Sequence, residues 1–140
     1  MQYAIHPSLN DKLVLDLTNA INGEFNAIRF YEHLAQFAPN EEVRDRILEI
    51  RSDEIRHYQG FSYSYTFLTG QQPSPQLTEA LPIDFKSGIL TAFKDEQEAV
   101  DFYHRVSREY NIPFISNQFR SNASDEQNHA VWFLFYINKY

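Results

Sequence analysis

Cysteine is absent from the 140 residues. That excludes disulfides, a thiolate zinc site, an iron–sulfur cluster, iron held by thiolates and a cysteine nucleophile. Glycine is scarce, with only 4 in the chain, and no Gly-rich turns recur at strand spacing. Basic residues fall short of acidic ones, Lys+Arg 12 against Asp+Glu 19, for a net charge of −7. A nucleic-acid binder needs a basic surface to displace counterions, so no nucleic-acid partner is expected. Long apolar runs are missing too. The longest, Ala130 to Ile137, is too short to span a bilayer, and no membrane association is expected. The start, Met1 to Pro7, has no basic stretch followed by an apolar one, so no signal peptide is expected and the reading is cytoplasmic. What the chain does have is aromatic bulk, with 12 Phe and 9 Tyr, and enough apolar residues for one core.

Apolar residues recur at the helical period rather than alternating. The first stripe runs Leu13, Leu17, Ala20, Ile21, Ala27, Ile28, Tyr31, Leu34, with Ser8 or Asn10 as candidate caps and Pro39 as a stop. The second starts at the cap Asn40 and carries Val43, Ile47, Ile50, Phe61, Tyr65, Leu68, with Gly70 as its end. The third follows Pro82 and Asp84 with Phe85, Ile89, Ala92, Phe93, Ala99, Val100, Tyr103, Val106. The fourth begins near Asn111 and Pro113 and carries Ile115, Phe119, Phe133, Tyr136, Ile137, Tyr140. One domain over residues 1–140 is expected, all-α, with helices over about 10–37, 41–68, 85–109 and 113–138. Tight turns at Pro39–Asn40 and Asn111–Pro113 make two antiparallel hairpins. Residues 70–83, with three prolines, form a crossover that reaches about 40 Å at ~3.3 Å per residue, the length of the bundle.

Each stripe is interrupted by charge. Glu24 lies between Ile21 and Ile28, Glu54 and His57 between Ile50 and Phe61, Glu96 between Phe93 and Val100, and Glu126 and His129 between Phe119 and Phe133. Residues three apart share a helix face, so each Glu-x-x-His points both side chains one way. The interruptions are copies displaced by 72 positions: Glu24 and Glu96, Ala27 and Ala99, Phe30 and Phe102, Tyr31 and Tyr103, then Ser52, Asp53, Glu54, His57, Phe61 and Ser124, Asp125, Glu126, His129, Phe133. In the plain alternative, buried Glu and His only pair with each other. Four carboxylates against two imidazoles would then leave buried charge unpaired, at a cost on the order of several kcal/mol each. Two divalent cations bring +4 to four Glu, and oxygen-rich sets with one nitrogen per ion suit iron or manganese better than zinc. One Glu from each of two helices plus Glu-x-x-His from each of the others is the ligand pattern of dinuclear carboxylate bundles.

With these residues the chain resembles the ferritin-like di-iron carboxylate superfamily, rubrerythrin and bacterioferritin most of all. The resemblance implies a ferritin-like antiparallel four-helix bundle of two repeated helical hairpins joined by one long crossover. It implies that Glu54 and Glu126 bridge two irons, with Glu24 and His57 completing one site and Glu96 and His129 the other. Tyr31 and Tyr103, two turns beyond Glu24 and Glu96, would hydrogen-bond to site carboxylates and act as the catalytic proton or electron source. Asp53-Glu54-Ile55-Arg56-His57 is similar to a segment in which the Asp orients a ligand His, so Asp53 would serve His129 and Asp125 would serve His57; the second copy lacks the Arg. Other positions depart from these relatives. Ala99 replaces an additional rubrerythrin Glu, a rubredoxin domain would need cysteine, and Ile55 stands where bacterioferritin has its haem-ligating Met, so no haem is expected. Cage ferritins add a fifth helix, whereas this chain stops at Tyr140, which argues against a storage shell.

The leading expectation is a di-iron oxidoreductase that reduces hydrogen peroxide or dioxygen and oxidises ferrous iron as it does so. Its electrons would come from an external donor protein or from Fe2+. The alternatives are an iron-binding or storage protein without turnover, a di-manganese catalase, and a di-iron hydroxylase, ranked lower because so small a bundle has little room for a channel. His6, His33, Glu98, and Asp101 with His104 are read as surface groups outside the site. The aromatic clusters Phe61, Tyr63, Tyr65, Phe67 and Trp132, Phe133, Phe135, Tyr136 exceed one buried helix face, which leaves surface for a homodimer.

Overall fold

The computed structural model describes residues 9–140. Ser8 and His6 lie outside the described residues. Four helices follow in order, α1 (Leu9–Gln36), α2 (Glu41–Thr69), α3 (Phe85–Glu109) and α4 (Pro113–Lys139), with no strand among the described residues. The architecture is a ferritin-like antiparallel bundle: α1 packs chiefly against α2 and α3 against α4, the two hairpins that the short turns require.

The helix ends are set by local chemistry. Asn40 caps α2 by accepting from the Val43 N–H at 2.9 Å, and Asp84 caps α3 by accepting from the Ser87 N–H at 2.8 Å. Gly70 ends α2 at φ +70°, a left-handed backbone that a Cβ would disfavour, and its N–H donates to the Thr66 carbonyl. Pro113 opens α4, where its missing N–H costs nothing. Asn10 lies inside α1 and therefore does not cap it.

The long crossover is tied to α1. Asn26, 5% exposed, donates through Nδ2 to the Gln76 carbonyl at 2.8 Å, and its Oδ1 accepts from the Thr78 and Glu79 N–H groups at 2.9 and 3.0 Å. Asn22 Oδ1 accepts from the Gln76 N–H at 3.1 Å. One buried amide thus supplies the hydrogen bonds that an extended segment cannot make with itself.

Two apolar clusters fill the bundle. One contains Leu13, Leu17, Ile21, Phe61, Val106 and Phe119; the other contains Leu34, Ile47, Ile50, Ile89 and Phe133. Fully burying each of these large side chains contributes about 1.5–3 kcal/mol. Gly88 permits close approach of α3, since a Cβ there would meet Leu34 Cδ1 at 2.4 Å. Between the two clusters, along every helix, lies the charged interruption read from the sequence. Outside the core, Tyr63, Phe67, Val131 and Phe135 are all more than half exposed. No helix among the described residues is long and apolar enough to cross a membrane.

Candidate metal centre

Glu24, Glu54, His57, Glu96, Glu126 and His129 meet at the centre of the bundle, each at most 2% exposed. They form two groups whose oxygen and nitrogen atoms lie within 4.8 Å of one another: Glu24, Glu54, His57, Glu126, and Glu54, Glu96, Glu126, His129. Glu54 and Glu126 belong to both groups; Glu24 and His57 complete the first, and Glu96 and His129 the second.

The two imidazoles are fixed from behind. His57 Nε2 lies 2.8 Å from Asp125 Oδ2, and His129 Nε2 lies 2.7 Å from Asp53 Oδ2. A carboxylate acceptor keeps a proton on Nε2 and turns Nδ1 inwards, towards the glutamates. His57 Nδ1 stands 3.1 Å from Glu126 Oε1, 3.3 Å from Glu54 Oε1 and 3.4 Å from Glu24 Oε1. His129 Nδ1 is 3.5 Å from Glu54, Glu96 and Glu126 alike. These are ion-pair distances without hydrogen-bond geometry. Glu24 Oε2, Glu54 Oε1, His57 Nδ1, Glu96 Oε2, Glu126 Oε1 and His129 Nδ1 all lack a hydrogen-bond partner, one atom on each of the six residues. Orphaned buried polar atoms cost about 1–3 kcal/mol each, so six around one point are the signature of a donor set made for something other than hydrogen bonding. Carboxylate oxygens and imidazole nitrogens in this ratio fit iron or manganese. Asp16 makes the contrast. It is also buried, yet Tyr110 donates to it at 2.7 Å and Arg105 at 3.1 Å, and it forms a partnered structural acid.

The tyrosines cross between halves. Tyr31 on α1 donates to Glu96 Oε1 on α3 at 2.5 Å, and Tyr103 on α3 donates to Glu24 Oε1 on α1. Each Tyr therefore serves the glutamate of the other hairpin, a pairing that depends on how α1 and α3 face each other. Arg56 has no counterpart in the second copy, where Asn128 stands. Its guanidinium bridges both aspartates, at 3.1 Å to Asp53 and 3.1 Å to Asp125, so one Arg between the repeats serves both histidines.

Electrostatics follow from burial of four carboxyls in one place. Burial, then the charge of Glu54, pushes Glu24 up to about 8. Burial and the same neighbour raise Glu96, and Glu126 is raised well above its ordinary value by burial and by Glu54, Glu24 and Glu96. Glu54 goes the other way: burial opposes its charge, but contact with His57 and Glu126 and the charge of His129 win. Burial also opposes charge on the histidines, yet Glu24 and Glu54 push His57 up to about 11, and Glu96, Glu54 and Asp53 push His129 up to about 9. Tyr31 and Tyr103 are raised well above the usual phenol range by burial and by the surrounding carboxylates, so both keep their protons.

A cavity of about 280 Å³ opens beside the cluster between α1 and α3. It was not foreseen for so small a bundle. Gly23 makes room for it, since a Cβ there would meet nothing within 4 Å. Its lining includes Glu79 of the crossover with Asp95 and Glu98 of α3, and Asp95, exposed at its edge, is raised to about 7 by partial desolvation and then by Glu79, Glu98 and Glu96. Glu98 is solvated as expected but borders this opening; Glu79 and Asp95 carried no signal of their own in the sequence. His33, whose ring nitrogen contacts the Arg29 carbonyl, and Asp101 and His104 are in neither group.

No protein-family model matches the chain. The uncharacterized protein YhjR of Bacillus subtilis (strain 168) is 50% identical over 125 residues, covering 89% of this chain and 86% of that one. Among solved structures, a hypothetical protein of Pyrococcus furiosus superposes with a TM-score of 0.78 at 21% identity, covering 90% of this chain and 88% of that one. A two-domain protein of Anabaena variabilis, with DJ-1/ThiJ/PfpI-like and ferritin-like domains, superposes with a TM-score of 0.77 at 20% identity, over 95% of this chain and 38% of that longer one. At such identities the two structures speak for the fold alone.

Proposed function

We propose that this chain, which belongs to the YhjR family, is a di-iron carboxylate oxidoreductase that reduces hydrogen peroxide or dioxygen, with ferrous iron oxidation as an accompanying reaction. The observation that carries the reading is the set of six orphaned ligand-type atoms converging from four helices. In this reading Glu24 and His57 hold one ion, Glu96 and His129 the other, and Glu54 and Glu126 are shared. When bound, such a pair of metals supplies two electrons and positive charge to a peroxide or dioxygen substrate.

The residues of the chain do the rest. Asp125 and Asp53 hold the imidazole rings with each Nδ1 turned into the cluster, where a cation would displace the proton that these raised histidines keep. Tyr31 and Tyr103 each occupy one oxygen of a glutamate and leave its Oε2 free. Their hydroxyls donate to Glu96 and Glu24, and bound cations would offset the carboxylate charge that raises both phenols, which suits them to proton delivery in the loaded chain. The flanking apolar clusters keep the carboxylates in a low-dielectric pocket, where electrostatic interactions are strong. The chain has no cysteine to hold an iron–sulfur relay, and an external donor protein or Fe2+ is proposed as the electron source.

The cavity supports a second reading, a hydroxylase acting on a small neutral substrate. Seven carboxylates and no basic residue among its lining speak against an anionic one. The test is anaerobic loading of the full chain with Fe2+, followed by peroxide with and without a reductant. Repeated peroxide consumption with an oxidised-iron absorption band is expected. Iron that stays bound while peroxide persists would replace the enzyme reading with an iron-binding one.

A further inference from the structure

The two sides of the buried cluster are not equally accessible. On the α2–α4 side, His57 and His129 are backed by Asp125 and Asp53, and Arg56 lies across both acids. A cation approaching there meets a guanidinium first. On the α1–α3 side lies the cavity, whose lining contains no Lys, Arg or His. Glu24 and Glu96 border it, each at most 2% exposed and each with Oε2 unpartnered. Glu79, Asp95 and Glu98, also bordering it, are exposed. The position of Glu79 is enforced, because its own N–H is held by Asn26 Oδ1 at 3.0 Å. The gap at Gly23 is not filled by any neighbour, so the glycine there is spent on open space rather than on close packing.

We propose that this cleft admits divalent cations to the buried cluster and that Glu79, Asp95 and Glu98 form a capture site at its mouth. The proposal rests on the two-metal reading above and adds the path by which the ions arrive. Exposed carboxylates around a low-dielectric opening concentrate cations and raise their arrival rate, an effect that salt screens. Deeper in, the free Oε2 atoms of Glu24 and Glu96 offer the next anionic contacts, so an ion passes from exposed to buried oxygen without crossing a basic group. The same field repels organic acids and phosphates.

The test follows Co2+ uptake by the metal-free full chain, read by its visible absorption in stopped flow across a range of NaCl. For the unaltered chain, uptake should slow steeply as salt rises and end at two Co2+ per chain. The triple variant Glu79→Gln, Asp95→Asn, Glu98→Gln should load about tenfold more slowly at low salt, lose most of the salt dependence, and still end at two Co2+. Gly23→Leu, which places a better helix former in open space, should slow uptake at every salt concentration while the fold is kept. Uptake by both variants at the unaltered rate, with two Co2+ bound, overturns the route and leaves the two-metal reading standing. Fewer than two Co2+ bound by the unaltered chain overturns both.

Discussion

The α2–α4 face and the α1–α3 face of the buried cluster are built on opposite plans. The first is closed by side chains that complete one another: two histidines, two aspartates behind them and Arg56 across the pair. The second is left open by small residues, Gly23, Ala27 and Ala99, and edged by acids that repel one another. A site that must keep two imidazoles in one tautomer needs the first plan, and a site that must exchange ions or small oxidants with solvent needs the second. The difference teaches that the repeat copies the ligands and the residues that touch them, Tyr31 and Tyr103, Asp53 and Asp125, but not the rim of the opening or the arginine. Gly23 corresponds to Asp95, Asn26 to Glu98 and Arg56 to Asn128.

The largest expected effect comes from the residues that both faces share. Replacing Glu54 and Glu126 together with Ala should abolish binding of two metals per chain, measured as the metal-to-protein ratio after loading and desalting. Undiminished binding would falsify the proposal that two ions share them. Next are the tyrosines on the open face. Tyr31→Phe with Tyr103→Phe should leave metal binding intact and lower peroxide turnover about 100-fold, as expected for loss of a positioned proton donor. Turnover at the unaltered rate would remove them from the chemistry.

On the closed face, Asp53→Ala or Asp125→Ala should weaken metal affinity about 10–100-fold, since each histidine loses the acceptor that orients it. Arg56→Ala should weaken it far less, because the guanidinium is largely exposed and such pairs contribute about 0–1 kcal/mol. An equal loss in all three would show that the arginine, not the aspartates, holds the closed face together.

Much of this was legible in the sequence, and the reason is local. The helix ends follow from Asn40, Gly70, Asp84 and Pro113, each of which acts on its own next turn. The buried acids were legible because Glu24, Glu54, Glu96 and Glu126 interrupt apolar stripes, and a charge in a stripe is visible without knowing what faces it. The exchange of partners between Tyr31 and Glu96, and between Tyr103 and Glu24, was not legible, because it depends on the rotation of α1 against α3. Nor was the cavity. It exists because Asn26 draws Glu79 of a distant segment to the α1 surface and because nothing fills the space at Gly23. Gly88 has the same cost in a helix as Gly23, about 1 kcal/mol, yet serves close contact with Leu34 rather than an opening. Spacing alone does not separate the two cases.

The smallest expected effect is in the pH dependence of the metal-free chain. Glu24, raised to about 8, and His57 and His129, raised to about 11 and 9, all bind protons more tightly folded than unfolded. Such groups stabilise the fold fully below their ordinary values and lose that contribution as pH rises through the raised ones. The melting temperature of the metal-free chain should therefore fall from about pH 5 up to about pH 11. Bound cations replace the protons, so the loaded chain should show a flat or rising profile over that window. Parallel profiles would mean that the cluster does not exchange protons for metal.

The most direct measurement is an anomalous difference map at the iron absorption edge from crystals of the chain loaded with Fe2+. Two peaks are expected, one among Glu24, Glu54, His57 and Glu126 and one among Glu54, Glu96, Glu126 and His129. A single peak, or iron found only on the exposed acids with the six buried side chains hydrogen-bonded to each other, would contradict the account.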